Sequence, residues 1–176
     1  VLRAANELTG KPLSPDQLRG LARGIGSDVP SQVDPRHALV SGVGEEVEPI
    51  ELPQITLVLV PRKEGLSTPE VFAELDRLRG GSDPPSARLD PGPLRRLAEA
   101  PLAELAAGVE NDLQQPAVSL RPELEPAVAS LFGAGALAAQ VTGSGPTTFG
   151  VFPDRSTADA AATKLGDVIV TEVRSC

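Results

Sequence analysis

Two short segments hold the residue types from which a reaction could be built. Gly26-Ser27-Asp28-Val29-Pro30 sets one carboxylate just beyond a helical pattern, where Gly and Ser let the backbone turn sharply. Held beside a hydroxyl, such a carboxylate can orient it and accept its proton in phosphoryl transfer, a reaction that rests largely on positioning and electrostatics. An Asp there also serves as a helix cap, and the sequence leaves both uses open. Gly143-Ser144-Gly145-Pro146 joins two apolar runs. It reads either as a hairpin turn or as a row of exposed amides that a phosphate or another loop can approach closely. Lacking a Lys, it is not a Walker phosphate loop.

Other chemistries are poorly supplied. The 176 residues include one histidine, His37, and one cysteine, the last residue Cys176. Ser-His-Asp, Cys-His and zinc-hydrolase arrangements therefore lack their parts, and there is no disulfide framework. His37 reads as structural or exposed rather than catalytic. Catalysis must rest on carboxylates, hydroxyls and backbone amides.

The elements that must position these groups follow from apolar spacing. Val1, Leu2, Ala4, Ala5 and Leu8 share a helical face that stops at Gly10. Ser14-Pro15-Asp16-Gln17 is a capping-box start, after which Leu18, Leu21, Ala22 and Ile25 mark the buried stripe of a second helix closing near Gly24. A strand over His37 to Val40, the turn Gly42-Val43-Gly44 and an acidic stretch to Pro53 follow. Ile55 to Val60 is a buried strand ended by Pro61, and Thr68-Pro69 opens a helix carrying Val71, Phe72, Leu75 and Leu78. Residues 80–93 hold four prolines and three glycines and read as a loop. Helices over 94–107, 111–119 and 123–132 lead to a strand (Ala138 to Thr142), the Gly-Ser-Gly turn, a strand (Thr147 to Phe152), a helix (Thr157 to Leu165) and a strand (Val168 to Val173).

From Ile55 onward this is an α+β, ferredoxin-like β-α-β-β-α-β order with extra helices in its first crossover, expected to carry its helices on one face of one sheet. Residues 1–52 cannot complete a sheet and read as the tail of a preceding domain, with residues 53–176 as the second. The chain has no Met and begins inside a helical pattern, so a piece of a longer product is expected.

Apolar residues make up 40 % of the chain, and 16 basic against 24 acidic residues give a net charge of -8. With no basic cluster, a nucleic acid would be repelled rather than drawn in. The longest apolar run is far short of the roughly 20 residues that span a bilayer. No membrane association and a cytoplasmic location are expected.

Five segments in order across nearly the whole chain carry a resemblance to a known family. They are Gly26-Ser27-Asp28-Val29-Pro30, Gly42-Val43-Gly44-Glu45, Ser67-Thr68-Pro69-Glu70-Val71-Phe72, Asn111-Asp112-Leu113 and Thr142-Gly143-Ser144-Gly145-Pro146. A late Gly-Ser-Gly motif facing an earlier Asp resembles the GHMP kinases, and the whole set is similar to the diphosphocytidyl-methylerythritol kinases among them.

The resemblance implies a kinase that uses ATP and Mg²⁺. It would phosphorylate a hydroxyl of a cytidine diphosphate sugar alcohol, 4-diphosphocytidyl-2-C-methyl-D-erythritol, in non-mevalonate isoprenoid precursor synthesis. It implies Asp28 as catalytic base, Thr68 and Phe72 as substrate-binding residues, and Gly143, Ser144 and Gly145 as the lining of the ATP phosphate site, with no metal ligand named. It also implies that residues 1–52 belong to a ribosomal S5 domain 2-like first domain. Monomer and homodimer both stay open.

Bland uses stand beside these. Phe72 fits core packing, Thr68 fits a helix cap before Pro69, and Asn111-Asp112 reads preferably as a cap on the next helix. The polar Ser31-Gln32-Val33-Asp34-Pro35 departs from the family, so the helix behind Asp28 is expected to be shorter or displaced. The family's phosphate loop and substrate Lys are expected upstream of Val1, which would leave the 176-residue chain inactive by itself. A homoserine or mevalonate type of GHMP kinase would share the Gly-Ser-Gly turn but not Ser67-Thr68-Pro69-x-x-Phe72. A non-catalytic ferredoxin-like binding module would have no need of Asp28.

Overall fold

The structure is a computed structural model that describes residues 1–42, 44–81 and 90–173. Val43, most of the expected 80–93 loop and Cys176 lie outside the described residues. In chain order the elements begin with α1 (Leu2–Leu8), α2 (Pro15–Arg23), a 3-10 turn (Pro30–Gln32), β1 (Ala38–Ser41) and β2 (Glu46–Pro49). Next come β3 (Ile55–Val60), α3 (Thr68–Leu78), α4 (Gly92–Ala98), α5 (Leu102–Ala107), α6 (Gln114–Leu120) and α7 (Leu124–Gly133). The chain closes with β4 (Ala138–Val141), β5 (Thr148–Phe152), α8 (Arg155–Leu165) and β6 (Ile169–Val173). None of these helices is long and apolar enough to cross a membrane.

Contacts divide the chain into two units. One holds the described residues of Val1–Leu52 and Ala87–Glu99, the other those of Pro53–Ser86 and Ala100–Arg174.

In the first unit, α2 starts as its sequence requires. The Ser14 hydroxyl accepts from the Gln17 amide at 3.3 Å, and Gln17 Oε1 accepts from the Ser14 amide at 2.8 Å, so two otherwise orphaned donors are satisfied. Leu18 and Ala22 pack with Val33 in a small core, against which Leu2, Leu13 and Val29 lean. The expected stripe is narrower than its spacing suggests: Leu21 is 54 % and Ile25 63 % exposed, because the elements over α2 cover only the Leu18–Ala22 line. The acidic stretch before Pro53 contains a strand that hydrophobic spacing does not reveal. β2 pairs antiparallel with β1, Val40 opposite Val47, with Glu46 and Glu48 facing solvent. A two-stranded ladder is made of backbone groups, which acidic side chains on the open face do not obstruct.

The second unit is built on a four-stranded antiparallel sheet in the order β4-β5-β3-β6. With the chain order β3, β4, β5, β6, this is the ferredoxin-like arrangement expected from sequence. One face carries Val58, Ala139 and Phe152, which pack with Val128 and Leu131 of α7 and Ala158 and Ala161 of α8. The expectation of helices on one face only is corrected. Ala138 and Val151, one residue out of phase, pack with Ala106 of α5, with Leu57 and Leu102 against them. β3 is apolar at nearly every position, and such a run requires cover on both sides. A third cluster, Val71 of α3 with Ala117, Leu124 and Val141, anchors α3 over the end of β4.

Candidate active site

Asp28 sits in the first unit on a stretch of backbone held from both sides. Behind it, the amides of Ile25 and Gly26 close the end of α2 on the Ala22 carbonyl. Ahead, Pro30 is fully buried and opens the 3-10 turn, so the segment after Asp28 is a short turn, as the polar sequence there suggested. Beneath it lies Gly44, with φ +96°, where an added Cβ would overlap the Ser27 carbonyl oxygen. Only glycine permits that approach. Glu45, next in sequence, reaches Arg23 at the end of α2 across 3.4 Å. The capping use of Asp28 is not realised: the 3-10 turn is preceded by Val29 and has no side-chain cap bond. The Asp28 carboxylate is exposed and has no hydrogen bond or ion pair among the described residues, while the Asp28 carbonyl accepts from Ser31 Oγ at 2.8 Å.

The other expected site residues lie in the second unit, where the fold joins three distant segments. Thr68 Oγ1 and Ser144 Oγ are 2.8 Å apart, a hydrogen bond across 76 residues. The Thr68 hydroxyl thus goes to the glycine turn and does not cap α3, whose preceding residue is Ser67. Phe72 is four residues further along α3, on the same face as Thr68. It is 49 % exposed and belongs to none of the buried clusters, so it is not a core residue. The buried neighbour Val71 fixes how the helix is turned.

The turn itself is closed by Thr142 N–H on the Thr147 carbonyl and Gly145 N–H on the Thr142 carbonyl, each at 2.9 Å. Gly143 (φ +56°) and Gly145 (φ +83°) both occupy the left-handed region. They differ in surroundings. A Cβ on Gly145 would come within 2.9 Å of Val141 Cγ1, whereas nothing lies within 4 Å of one on Gly143, so that side is open to an approaching group.

Asn111 is the residue whose part sequence reasoning missed. Its Nδ2 donates to the Val141 carbonyl at 2.7 Å and to the Gly143 carbonyl at 2.9 Å, and its Oδ1 accepts from the Leu113 amide at 3.0 Å. The preferred cap reading is corrected, since α6 is preceded by Leu113 without a side-chain cap. The available signal was its place among the five ordered segments. Asp112 points elsewhere, to Arg79 at 3.0 Å.

Glu74, two residues beyond Phe72, ties α3 to α6. Its carboxylate accepts from Arg77 Nε at 2.6 Å and from Ser119 Oγ of α6 at 2.5 Å. Those bonds, that of Arg77 first, hold its pKa down to about 2. His37 contributes backbone pairing, its carbonyl accepting from Ile50 N–H at 2.9 Å, as a structural residue does. Among the described residues no three His, Cys, Asp or Glu side chains gather to hold a metal.

Taken separately, the first unit offers an exposed carboxylate on a fixed turn, and the second a bonded pair of hydroxyls, a half-exposed aromatic ring and an open glycine turn. Residues 93–170 match the family described as GHMP kinases C terminal. A 4-diphosphocytidyl-2-C-methyl-D-erythritol kinase of Nocardia farcinica is 43 % identical over 173 residues, which are 97 % of this chain and 56 % of that protein. One of the same name from Streptomyces coelicolor is 41 % identical over 176 residues, 99 % of this chain and 59 % of that one. A crystal structure of 4-(cytidine 5'-diphospho)-2C-methyl-D-erythritol kinase superposes with a TM-score of 0.73 at 28 % identity, over 98 % of this chain and 62 % of the other. A homoserine kinase from Cytophaga hutchinsonii superposes at 0.65 with 16 % identity, over 98 % and 61 % of the two chains, a likeness of fold alone. The chain spans between half and three-fifths of the length of these curated relatives.

Proposed function

This chain belongs to the GHMP kinases, among relatives named 4-diphosphocytidyl-2-C-methyl-D-erythritol kinase, and we propose that the protein carrying it phosphorylates a hydroxyl of that cytidine diphosphate sugar alcohol with ATP. The observation that carries the reading is that likeness to kinases of one name extends over 97 % or more of the chain. In this reading residues 1–52 are the remainder of a first domain and residues 53–176 the second, in a cytoplasmic protein whose partners are two small molecules.

In this reading the residues singled out take the following roles. Asp28 orients the acceptor hydroxyl and takes its proton as the oxygen attacks the γ-phosphorus of ATP; the bond from that phosphorus to the β–γ bridging oxygen breaks and ADP leaves. The exposed, unbonded carboxylate on a stiff turn is suited to that part. Phe72 offers its ring to the cytosine, with Thr68 on the same helical face beside the substrate. Gly143, Ser144 and Gly145 line the phosphate end, where the open side of Gly143 leaves room for a phosphate or its loop. Mg²⁺ would offset charge on the β- and γ-oxygens. The described residues gather no cluster suited to hold it, so none is assigned to the ion.

The test is ADP release by the full-length protein with Mg-ATP and 4-diphosphocytidyl-2-C-methyl-D-erythritol, with homoserine and mevalonate as comparison acceptors. Turnover with the cytidine compound alone is expected. Turnover with another acceptor would discard the substrate, and no turnover from the folded protein would discard the kinase reading.

A further inference from the structure

We propose that Asn111 is a positioning residue for the Gly143-Ser144-Gly145 turn, acting through the backbone of Val141 and Gly143 and not on any substrate. Its consequence for turnover rests on the kinase reading above, but the positional claim itself does not.

β4 is an edge strand, paired on one side only with β5, and it leads directly into the turn. An edge strand that ends in two left-handed glycines is held weakly by its own ladder, because glycine retains the most backbone freedom. Here side chains from residues 111–114 supply the missing constraint. Val141 has both of its backbone groups taken by them: Gln114 Oε1 accepts from its N–H at 3.0 Å, and Asn111 Nδ2 donates to its carbonyl at 2.7 Å. The second Asn111 donor reaches past Thr142 to the Gly143 carbonyl at 2.9 Å.

An amide is the right group for this position. It has two N–H donors for two carbonyls and one oxygen, which the Leu113 N–H occupies. Asp would keep the Leu113 bond but set a carboxylate oxygen against two carbonyl oxygens, and Ala would leave both carbonyls without the donor. The Gly143 carbonyl is one peptide from Ser144, whose hydroxyl is bonded to Thr68. The turn is therefore fixed at its base by Asn111 and at its tip by Thr68. Releasing the base lets the Ser144 hydroxyl and the open side of Gly143 shift, and misplacement by about 1 Å is enough to cost about 100-fold in rate.

The experiment compares wild-type, Asn111→Asp and Asp112→Asn full-length protein by hydrogen exchange over residues 141–147 and by steady-state kinetics. Asp112 neighbours Asn111 but pairs outward with Arg79, so its variant is expected to match wild type in both readouts. For Asn111→Asp, exchange of the Thr142 and Gly145 amides, whose bonds close the turn, is expected to be at least about tenfold faster with the rest of the sheet unchanged, reflecting local opening. kcat is expected to fall about 10–100-fold, with less change in KM for the cytidine compound. Unchanged exchange in the turn would overturn the proposal, as would wild-type kcat. Should Asn111→Asp not fold, Asn111→Ser, neutral and reaching at most one carbonyl, carries the same test with the same outcomes. If the wild-type protein shows no turnover, the kinase reading fails, and the exchange measurement still decides the role of Asn111.

Discussion

Gly44 lies against Ser27 so closely that no side chain fits between them: a Cβ there would overlap the Ser27 carbonyl oxygen, and φ at Gly44 is +96°. Because Ser27 precedes Asp28, the hairpin backbone fixes the turn that presents the carboxylate. Gly44→Ala is expected to displace that turn and to reduce kcat about 100-fold. Adding Ser27→Gly to it should restore little, since the clash is with main chain. Steady-state kinetics of the two variants check this, and near-normal turnover in Gly44→Ala would show that Asp28 is not held from this side.

Asp28→Asn removes the proposed base but no intramolecular bond, since the carboxylate is exposed and unpaired among the described residues. Turnover should fall by about 10²–10⁴ while the thermal midpoint stays within about a degree or two of wild type. A large loss of stability would mean that the side chain has a structural task.

Thr68 and Ser144 share one hydrogen bond at 2.8 Å, so their effects on stability should not add. Thr68→Ala and Ser144→Ala are each expected to cost about 0.5–1.5 kcal/mol, and the double variant little more than the larger single one. Urea unfolding of the four proteins of the cycle measures this. Strict additivity would mean the contact is not formed in solution.

Glu74 gives a pH dependence of defined sign. Its bonds to Arg77 and Ser119 lower the folded pKa from 4.5 to about 2. The contribution is therefore complete above the unfolded value near 4.5 and is lost as pH falls toward 2. The urea midpoint of wild type should exceed that of Glu74→Gln at pH 6, and the gap should close between pH 4.5 and 2. A gap that does not vary with pH would remove the carboxylate from the account.

Leu131 and Phe72 should behave oppositely. Leu131 is fully buried among Val58, Ala139 and Phe152, and Leu131→Ala is expected to cost about 2–5 kcal/mol. Phe72 is half exposed, so Phe72→Ala should change stability by under about 1 kcal/mol while raising KM for the cytidine compound. Chemical denaturation and substrate titration separate the two. A Phe72→Ala variant as unstable as Leu131→Ala would assign the ring to the core.

Local rules made much of the fold legible. The Ser14-Pro15-Asp16-Gln17 box, the stop at Pro61 and the two apolar runs either side of the Gly-Ser-Gly turn act over a few residues, and the observed α2, β3, β4 and β5 begin and end close to where those signals stand. Asp154 shows the limit of such reading. Its carboxylate accepts from the Thr157 amide at 2.7 Å and so starts α8 at Arg155, earlier than the apolar spacing alone suggests. β2 was hidden because a ladder of backbone bonds needs no apolar side chains, and α5 on the second sheet face because spacing does not say which face a helix covers.

For the candidate site, the sequence by itself determined the inventory: a carboxylate in Gly26-Ser27-Asp28-Val29-Pro30, a Thr and a Phe four apart on one helix, and a glycine turn between two strands. These are properties of residue type and spacing, which a linear chain displays in full. Only the tertiary structure decided their partners. The Thr68 hydroxyl meets Ser144 rather than capping its own helix, Phe72 is left outside the core because Val71 occupies it, and Asn111 turns its amide to the base of the glycine turn. A hydroxyl or an amide can bond equally well to a near neighbour or to a residue 30 or 76 positions away. Which it does depends on what the packed sheet and helices bring within 3 Å, and sequence spacing carries no record of that distance.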